Sequence, residues 1–524
     1  MPGANATPVS LSPGGWSGAD RLCLSLLLTI TGLRCIALVA SPLELGVDEA
    51  QYWLWGTAFD FGYYTKPPLT SWIIALSHGL FGHHEWAVRM PAPLLHLATS
   101  LVLWRAAIWA AGSPAQINSA QINSGPIISG VIGASPTAEC AGRLAAILWI
   151  SLPAVGVGSF VISTDTPLLL AWSAGLLGLI GVLSGRLAPR HGMALAGAGF
   201  GAAMLAKYAA IYGLVGLGLF LALMRARRRR SPITAGGVLV FGLAMLFVAS
   251  PNILWNLMNE LATVRHLGDN ANLDRQSYSL GNSLAFLGAQ FATAGPLVFA
   301  LMFGILRRRA GDTVCALLLC LSVPVILVIM AQAFLSEANA NWALAAMPAL
   351  VVWLAVWLAG RLADGRHRLV LAATGLNLAI TAVLLAVTTA GTLGPLTPQS
   401  DPLRRLRGWQ ELASDTDAAL RRHQAGTVIA DRRATAALLS WHFHGRGIEV
   451  LVHDADGVPT NHFEQNLAWR RQPGRRLVVI DGREGAPTMP AMIWSVDAPV
   501  LSRTAISARR DRALYLHTGV EAAD

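Results

Sequence analysis

Long apolar runs recur along this chain from about residue 21 to residue 390, divided by short polar turns, and then stop. Runs of roughly 16 to 24 residues are long enough to cross a hydrocarbon layer as helices. They predict spans near 21–42, 87–110, 142–161, 166–185, 192–206, 208–224, 234–251, 283–306, 312–334, 342–360 and 368–390, eleven crossings in all. The pair 192–206 and 208–224 can also be read as one kinked helix, because only Lys207-Tyr208 divides it. Pro67 to Phe81 is about half the length needed to cross and reads as a helix lying along or dipping into the membrane. Beyond residue 390 the pattern changes to strand-like stretches at Thr427 to Ala430, Ile448 to Val452, Leu477 to Ile480 and Leu514 to His517, with helical spacing over Arg433 to Phe443. The expected fold is an all-α multispan membrane domain (21–390) between a short tail (1–20) and a small C-terminal α/β domain (391–524).

Composition agrees with that pattern. Of 524 residues, 54% are apolar and 13% charged, too greasy for a soluble protein. The net charge of +10 comes from arginines clustered between apolar runs, as topology signals are, so no nucleic-acid partner is expected. A cytoplasmic amino terminus places Arg21, Arg105, Arg143, Arg186, Arg190, Arg225, Arg227 to Arg230, Arg307 to Arg309, Arg361, Arg366 and Arg368 inside, against Lys66, Arg89, Lys207, Arg265 and Arg275 outside. That division is sixteen to five. The first span is longer than the core of a cleaved signal, despite the Ala37-Leu38-Val39-Ala40 sequence. Four of the five cysteines fall within apolar spans, which implies no disulfide framework. The tandem Ala-Gln-Ile-Asn-Ser of 115–124 reads as an inert insertion in an inner loop. Every chemically informative loop then lies on the outer face.

The first outer loop is the richest of these. Asp48 and Glu49 stand at its head, where a partly desolvated carboxylate beside a cation is suited to act as a general base. A surface acid or a helix cap is the plain alternative. Tyr52, Tyr63 and Tyr64 follow, and Lys66 closes the loop against Pro67-Pro68. Lys66 and Lys207 are the only lysines, against 37 arginines. An ammonium fixed at headgroup depth suits a lipid phosphate, although a snorkelling lysine would look the same in sequence. Arg34 lies within the first span, where a charge costs about 2.5 to 3.5 kcal/mol on insertion scales and needs a partner or a polar cavity. Asp165, in Ser163-Thr164-Asp165-Thr166-Pro167, is either a helix cap or a second acid facing the same side. Asn339 and Asn341, and the 252–282 loop with Asn252, Asn256, Arg265, His266, Asp269, Asn270 and Asn272, add a polar density suited to hydroxyl-rich ligands. No spacing resembles a zinc site, a phosphate-cradling glycine loop or a nucleophile elbow.

Asp48-Glu49-Ala50-Gln51-Tyr52 with Tyr63-Tyr64-Thr65-Lys66-Pro67, followed by the Asp165 and Lys207 turns, resembles the GT-C glycosyltransferases that use polyprenyl-phosphate sugars. That branch includes lipid A aminoarabinose transferases and dolichyl-phosphate-mannose protein mannosyltransferases. Asn339-Ala340-Asn341-Trp342, Asp401 to Trp409 and Asn461-His462-Phe463-Glu464 are similar to a bacterial subgroup of it. The resemblance covers about residues 20 to 390 and implies a GT-C-like fold, with Asp48 as the catalytic carboxylate and Glu49 beside it. Tyr63 and Lys66 would hold the lipid phosphate, and Asp165 would be the acid of the second outer turn. Where the aminoarabinose enzymes carry arginine three residues after that Asp, this chain has Gln51, so Arg34, Arg89 or Lys207 is expected to supply the missing phosphate contact. Tyr52, Tyr64, Asn339 and Asn341 are candidates for sugar or acceptor contacts.

The expected activity is inverting transfer of a sugar from a polyprenyl phosphate to an extracytoplasmic acceptor, lipid A or another envelope glycan or lipid, at a bacterial inner membrane. A protein hydroxyl is the second acceptor class. A lipid phosphate leaves with less charge than a nucleotide diphosphate, so no cofactor is required, and a divalent metal stays an open alternative. The partners are then the lipid-linked sugar, its acceptor and membrane lipids. A transporter would place its binding groups near the midplane on broken helices and show inverted repeats, whereas here the polar groups crowd one face. A scaffold or receptor built on the terminal domain would leave the first loop unexplained.

Overall fold

The computed structural model describes residues 16–112, 135–229, 231–261, 263, 278–306, 312–394, 396–397, 400–454, 457, 461–489, 492–495, 499–502 and 514–522. The tandem repeat at 115–124, Arg230, Arg307 to Arg309, and Arg265, His266, Asp269, Asn270, Asn272 and Arg275 lie outside them.

Among the described residues, eight helices are long and apolar enough to cross a membrane, or nine if one bent pair counts as a span. The first, α1 (Gly18–Ala40), opens on a capping box in which Ser17 and Asp20 satisfy each other's backbone N–H groups. Short helices α2 (Val47–Thr57), α3 (Leu69–Phe81) and α4 (Glu85–Arg89) then lead into α5 (Pro91–Ala111). Three of the expected eleven spans depart from the simple pattern. The segment near 142–161 is divided into α6 (Pro136–Ser151), only 16 residues long, and α7 (Pro153–Gly158). Pro153 lacks the N–H that would continue the ladder and starts the second piece instead. After α8 (Asp165–Leu183), α9 (Pro189–Ala206) opens on Pro-Arg-His and is not among the helices apolar enough to cross. Lys207, extended at φ −161°, separates it from α10 (Ile211–Ala226), so these are two helices rather than one kinked rod. The run near 283–306 is α12 (Leu280–Ala294) and α13 (Pro296–Leu306), bent by 113°. Its hinge is Gly295 at φ +90°, where any Cβ would overlap the Asn377 side chain. The remaining crossings come from α11 (Ala235–Met258), the pair α14 (Thr313–Cys320) and α15 (Val323–Leu335), α16 (Met347–Ala363) and α17 (His367–Ala390).

Beyond α17 lie α18 (Trp409–Arg422), α19 (Arg433–His442), α20 (His462–Asn466) and a six-stranded sheet. Strands β1 (Thr427–Ala430), β2 (Glu449–Val452) and β3 (Arg476–Asp481) pair in parallel with β1 in the middle, and β6 (Leu514–Glu521) runs antiparallel to β3. Strands β4 (Met492–Trp494) and β5 (Val500–Ser502) both pair with β6. Val428 sits opposite Val450 and Val478, all buried, because a parallel sheet covered on both faces needs continuous apolar runs.

This unit does not stand apart from the membrane helices. Ala50, Trp53 and Trp55 of α2 share one buried core with Trp409, Leu438, Trp441 and Phe463. Burying an indole such as Trp53, which is 2% exposed, contributes about 4 to 6 kcal/mol before the entropy of ordering it is subtracted. Two motifs noted in the sequence make the same joint. Trp409 N donates to Glu44 Oε2 at 2.6 Å, and Glu44 N to Leu406 O at 3.1 Å. Asn461 caps α20 and His462 packs its ring against Trp55.

Candidate functional site

Asp48 and Glu49 are neighbours in the first turn of α2, and the helix turns them toward different surroundings. Glu49 is 1% exposed. Its carboxylate accepts from Arg89 Nε at 2.9 Å and Nη2 at 2.8 Å, from Gly46 N at 2.8 Å and from Ile162 N at 3.0 Å. Arg89 also donates to the carbonyls of Leu43 and Glu44. The carboxylate of this bidentate pair is saturated, and the pair fastens the start of α2 to α4 and to the turn before α8. Glu49 therefore has no oxygen to offer a reacting proton, and four of the five N–H donors of Arg89 are taken. Asp48 has a side chain 62% exposed. Its Oδ1 accepts from Arg433 Nη2 at 3.1 Å, and Oδ2 makes no bond to another described residue.

The loop from α2 to α3 is held in a fixed shape. Tyr63 stacks on Trp55 with centroids 4.9 Å apart and donates its hydroxyl to Trp55 O at 2.8 Å. Burial pushes this phenol up to about 12, and with its proton committed to a carbonyl it is a brace rather than a phosphate ligand. Trp255 Nε1 donates to Asp60 Oδ2 at 2.7 Å, Asn252 Nδ2 to Phe61 O at 2.9 Å, and Thr263 Oγ1 to Tyr63 O at 2.8 Å. The end of α11 thus pins the loop, and Gly62 is required where a Cβ would run into the Trp255 ring. Lys66 is half-buried at the end of this loop. Its ammonium has no hydrogen bond or ion pair among the described residues. Burial is the main cause that lowers its pKa, followed by the charge of Lys207, while Asp48 and Asp165 act in the opposite sense.

A second cluster faces it. Asp165, the first residue of α8, is 5% exposed and accepts from Lys207 Nζ and from Asn341 Nδ2, both at 2.7 Å. Asp165 is thus no side-chain cap, since the N-cap is Thr164, which makes no capping bond. Three turns between helices meet in this cluster. From it a cavity of about 590 Å³ runs between α7, α8, α12 and α17. Asp165, Ser163, Asn339 and Asn341 line its polar end, and Leu152, Val155, Leu344 and Leu384 its walls. A polar mouth over an apolar bore is the shape of a lipid with a polar head.

The other expected residues fall in different places. Tyr52 is buried, and its pKa is raised first by burial and then by the carboxylates of Asp48 and Asp165. Tyr64 is half-buried on the same loop, and Asn339 is exposed at the cavity mouth. Arg34 is fully buried in α1, where Nη2 donates to Ile150 O at 2.8 Å. Its Nε and Nη1 are buried without a hydrogen-bond partner among the described residues, and its charge reaches His96, which lines the cavity. The residue that sequence reasoning missed is Arg433. At the head of α19 it donates to Gln51 Oε1 at 2.8 Å as well as to Asp48, bringing a guanidinium to position 51, a source other than the expected Arg34, Arg89 or Lys207. The glutamine in place of arginine was the signal, but its partner lies 382 residues away.

Residues 65–128 and 132–255 match the family described as dolichyl-phosphate-mannose-protein mannosyltransferase. A lipid A galacturonosyltransferase, RgtD, of Rhizobium johnstonii is 32% identical over 473 residues, covering 88% of this chain and 92% of that protein. Crystal structures of ArnT from Cupriavidus metallidurans share the fold. The undecaprenyl phosphate complex superposes with a TM-score of 0.61 at 14% identity, over 97% of this chain and 99% of that one. The apo form gives 0.55 at 15% identity, with the same coverage. With helices long and apolar enough to cross a membrane, an acid and a lysine on the first interhelical loop, and a relative similar over nearly its whole length, this chain belongs to the GT-C polyprenyl-phosphate-sugar glycosyltransferase family.

Proposed function

We propose that this protein is an inverting glycosyltransferase that moves a uronic acid, galacturonic acid foremost, from a polyprenyl phosphate to lipid A or a similar envelope lipid. The observation that carries this reading is Lys66, a half-buried ammonium with no ion pair among the described residues, set between the Asp165–Lys207 and Asp48–Arg433 pairs. A buried charge with no partner is costly, and an anionic ligand relieves that cost. Lys66 takes the donor phosphate in this reading. Arg433 and Lys207 supply further positive charge, one for the leaving phosphate and one for the sugar carboxylate, and the 590 Å³ cavity takes lipid chain.

The reaction needs one base. Asp48 Oδ2 removes the proton from an acceptor hydroxyl, whose oxygen bonds to the anomeric carbon from the face opposite the phosphate. The bond from that carbon to the phosphate oxygen breaks, and its electron pair leaves with the polyprenyl phosphate, where Lys66 stabilises it. The same reading puts 1–20 in the cytoplasm and the site, with 391–524, on the periplasmic face of a bacterial inner membrane.

The test uses purified full-length protein in nanodiscs with lipid A and either polyprenyl-phosphate galacturonate or the neutral galactose analogue, read by mass spectrometry. Transfer of a hexuronic acid to lipid A, lost in Lys66→Ala, is the expected result. Better use of the neutral sugar overturns the uronate assignment, and transfer to other acceptors but not lipid A overturns the acceptor.

A further inference from the structure

Three imidazoles meet where the end of α3 faces the end of α19. His78 lies in the last turn of α3, His83 follows the Gly82 bend at φ +82°, and His444 lies just beyond α19. One ring nitrogen from each falls within 4.8 Å of the others, and His78 Nε2 is 3.1 Å from His83 Nδ1. Zinc bonded at about 2.0 to 2.1 Å in a tetrahedron needs its nitrogen donors about 3.3 Å apart. The closest pair is near that separation, and the exposed His444 ring, stacked on His83 with centroids 4.8 Å apart, turns from that stack to supply the third.

The surroundings are those of a prepared ligand set. His83 Nε2 lies 3.0 Å from Trp441 O. A carbonyl only accepts, so the proton sits on Nε2 and the Nδ1 lone pair faces His78. Metal-binding histidines are commonly oriented in this way, by donating their other N–H to a backbone carbonyl. The His83 ring is also held by stacking on Trp441, with centroids 3.7 Å apart, and by the edge of the buried Trp53 at 5.3 Å. Glu85 accepts from Trp441 Nε1 at 3.2 Å and brings negative charge to the cluster.

We propose that His78, His83 and His444 bind a zinc ion, with water in the fourth position, and that this ion clamps α19 to the end of α3. Neutral imidazoles suit zinc among the divalent metals. The ion is not part of the transfer chemistry. Its consequence rests on the function proposed above: α19 is 10 residues long, ends beside the cluster, and begins with Arg433, so an ion at one end fixes the guanidinium that reaches Asp48 from the other.

Metal binding can be read without any transfer assay. Untagged full-length protein in detergent is stripped with a chelator, desalted and titrated with zinc, with bound metal counted by mass spectrometry and cobalt substitution followed by visible absorption. The expected result is one ion per chain, an intense tetrahedral cobalt spectrum, and a melting temperature raised by zinc. His83→Gln and His444→Gln should each weaken binding by at least about 100-fold, since each removes one of three protein ligands. His444 is exposed, so that variant keeps the fold if His83→Gln does not. His84→Gln is the control, because the His84 ring stacks on Trp86 outside the cluster, and it should bind as the parent does. Failure of the parent to hold stoichiometric zinc, or undiminished binding in the folded His444→Gln protein, overturns the site whatever the transfer assay shows.

Discussion

Replacing Glu49 by glutamine separates a structural acid from a catalytic one. The carboxylate accepts four hydrogen bonds, two of them from Arg89, with both side chains at most 3% exposed. Glutamine keeps one acceptor oxygen and turns an NH₂ toward donors that now have nothing to donate to, while Arg89 keeps its charge. Breaking a buried ion pair by removing one partner costs about 3 to 5 kcal/mol. The nearby backbone carbonyls of Leu43 and Glu44 still hold Arg89, which places the expected loss at the lower end, about 3 kcal/mol. That corresponds to more than a hundredfold in the folding equilibrium. The assay is thermal or denaturant unfolding of purified Glu49→Gln in detergent, alongside transfer activity measured well below the transition. The expected outcome is a clearly lowered midpoint with transfer per folded molecule reduced far less than in Asp48→Asn. If Glu49→Gln melts like the parent yet loses transfer, the clamp argument is refuted and Glu49 takes the role of base.

Asp48→Asn should behave in the opposite way, with transfer falling about 100-fold or more, the range for a positioned base, while the melting temperature holds because the side chain is largely exposed. Arg433→Gln removes the guanidinium from Asp48 and Gln51 and should weaken donor binding about tenfold, the value of one charge-assisted hydrogen bond, as measured by titration with the lipid-linked sugar. Lys66 binds phosphate only when protonated, and burial lowers its pKa below the ordinary lysine value, so donor affinity should decline on the alkaline side at a lower pH than an exposed lysine would give. Lys66→Arg should move that limb upward, and a decline indifferent to this change would refute the assignment. Gly62→Ala should loosen the loop between α2 and α3, since the added methyl meets the Trp255 ring, and limited proteolysis of the loop should report it.

What the sequence determined by itself was local. Hydrophobic length predicts spans because a segment crosses hydrocarbon only if its own residues are apolar, and α1, α5, α8, α10, α11, α16 and α17 stand where the runs predicted them. Strands β1, β2, β3 and β6 and helix α19 likewise follow from short apolar runs between turns. Asp48, Lys66, Asp165, Lys207 and Asn341 were legible because each is a polar residue at a helix end, a place where composition alone is informative. The tertiary structure decided their company. Adjacent acids look equivalent in one dimension, yet the helix turns Glu49 into the Arg89 pocket and leaves Asp48 outside. Tyr63 gives its hydroxyl to backbone, and Arg34 stays with Ile150, because burial supplies carbonyls that no sequence window contains. Arg433 reaches Asp48 across 385 residues and His444 reaches His83 only through the packing of α19 on α2, a juxtaposition set by a shared apolar core rather than by any spacing along the chain.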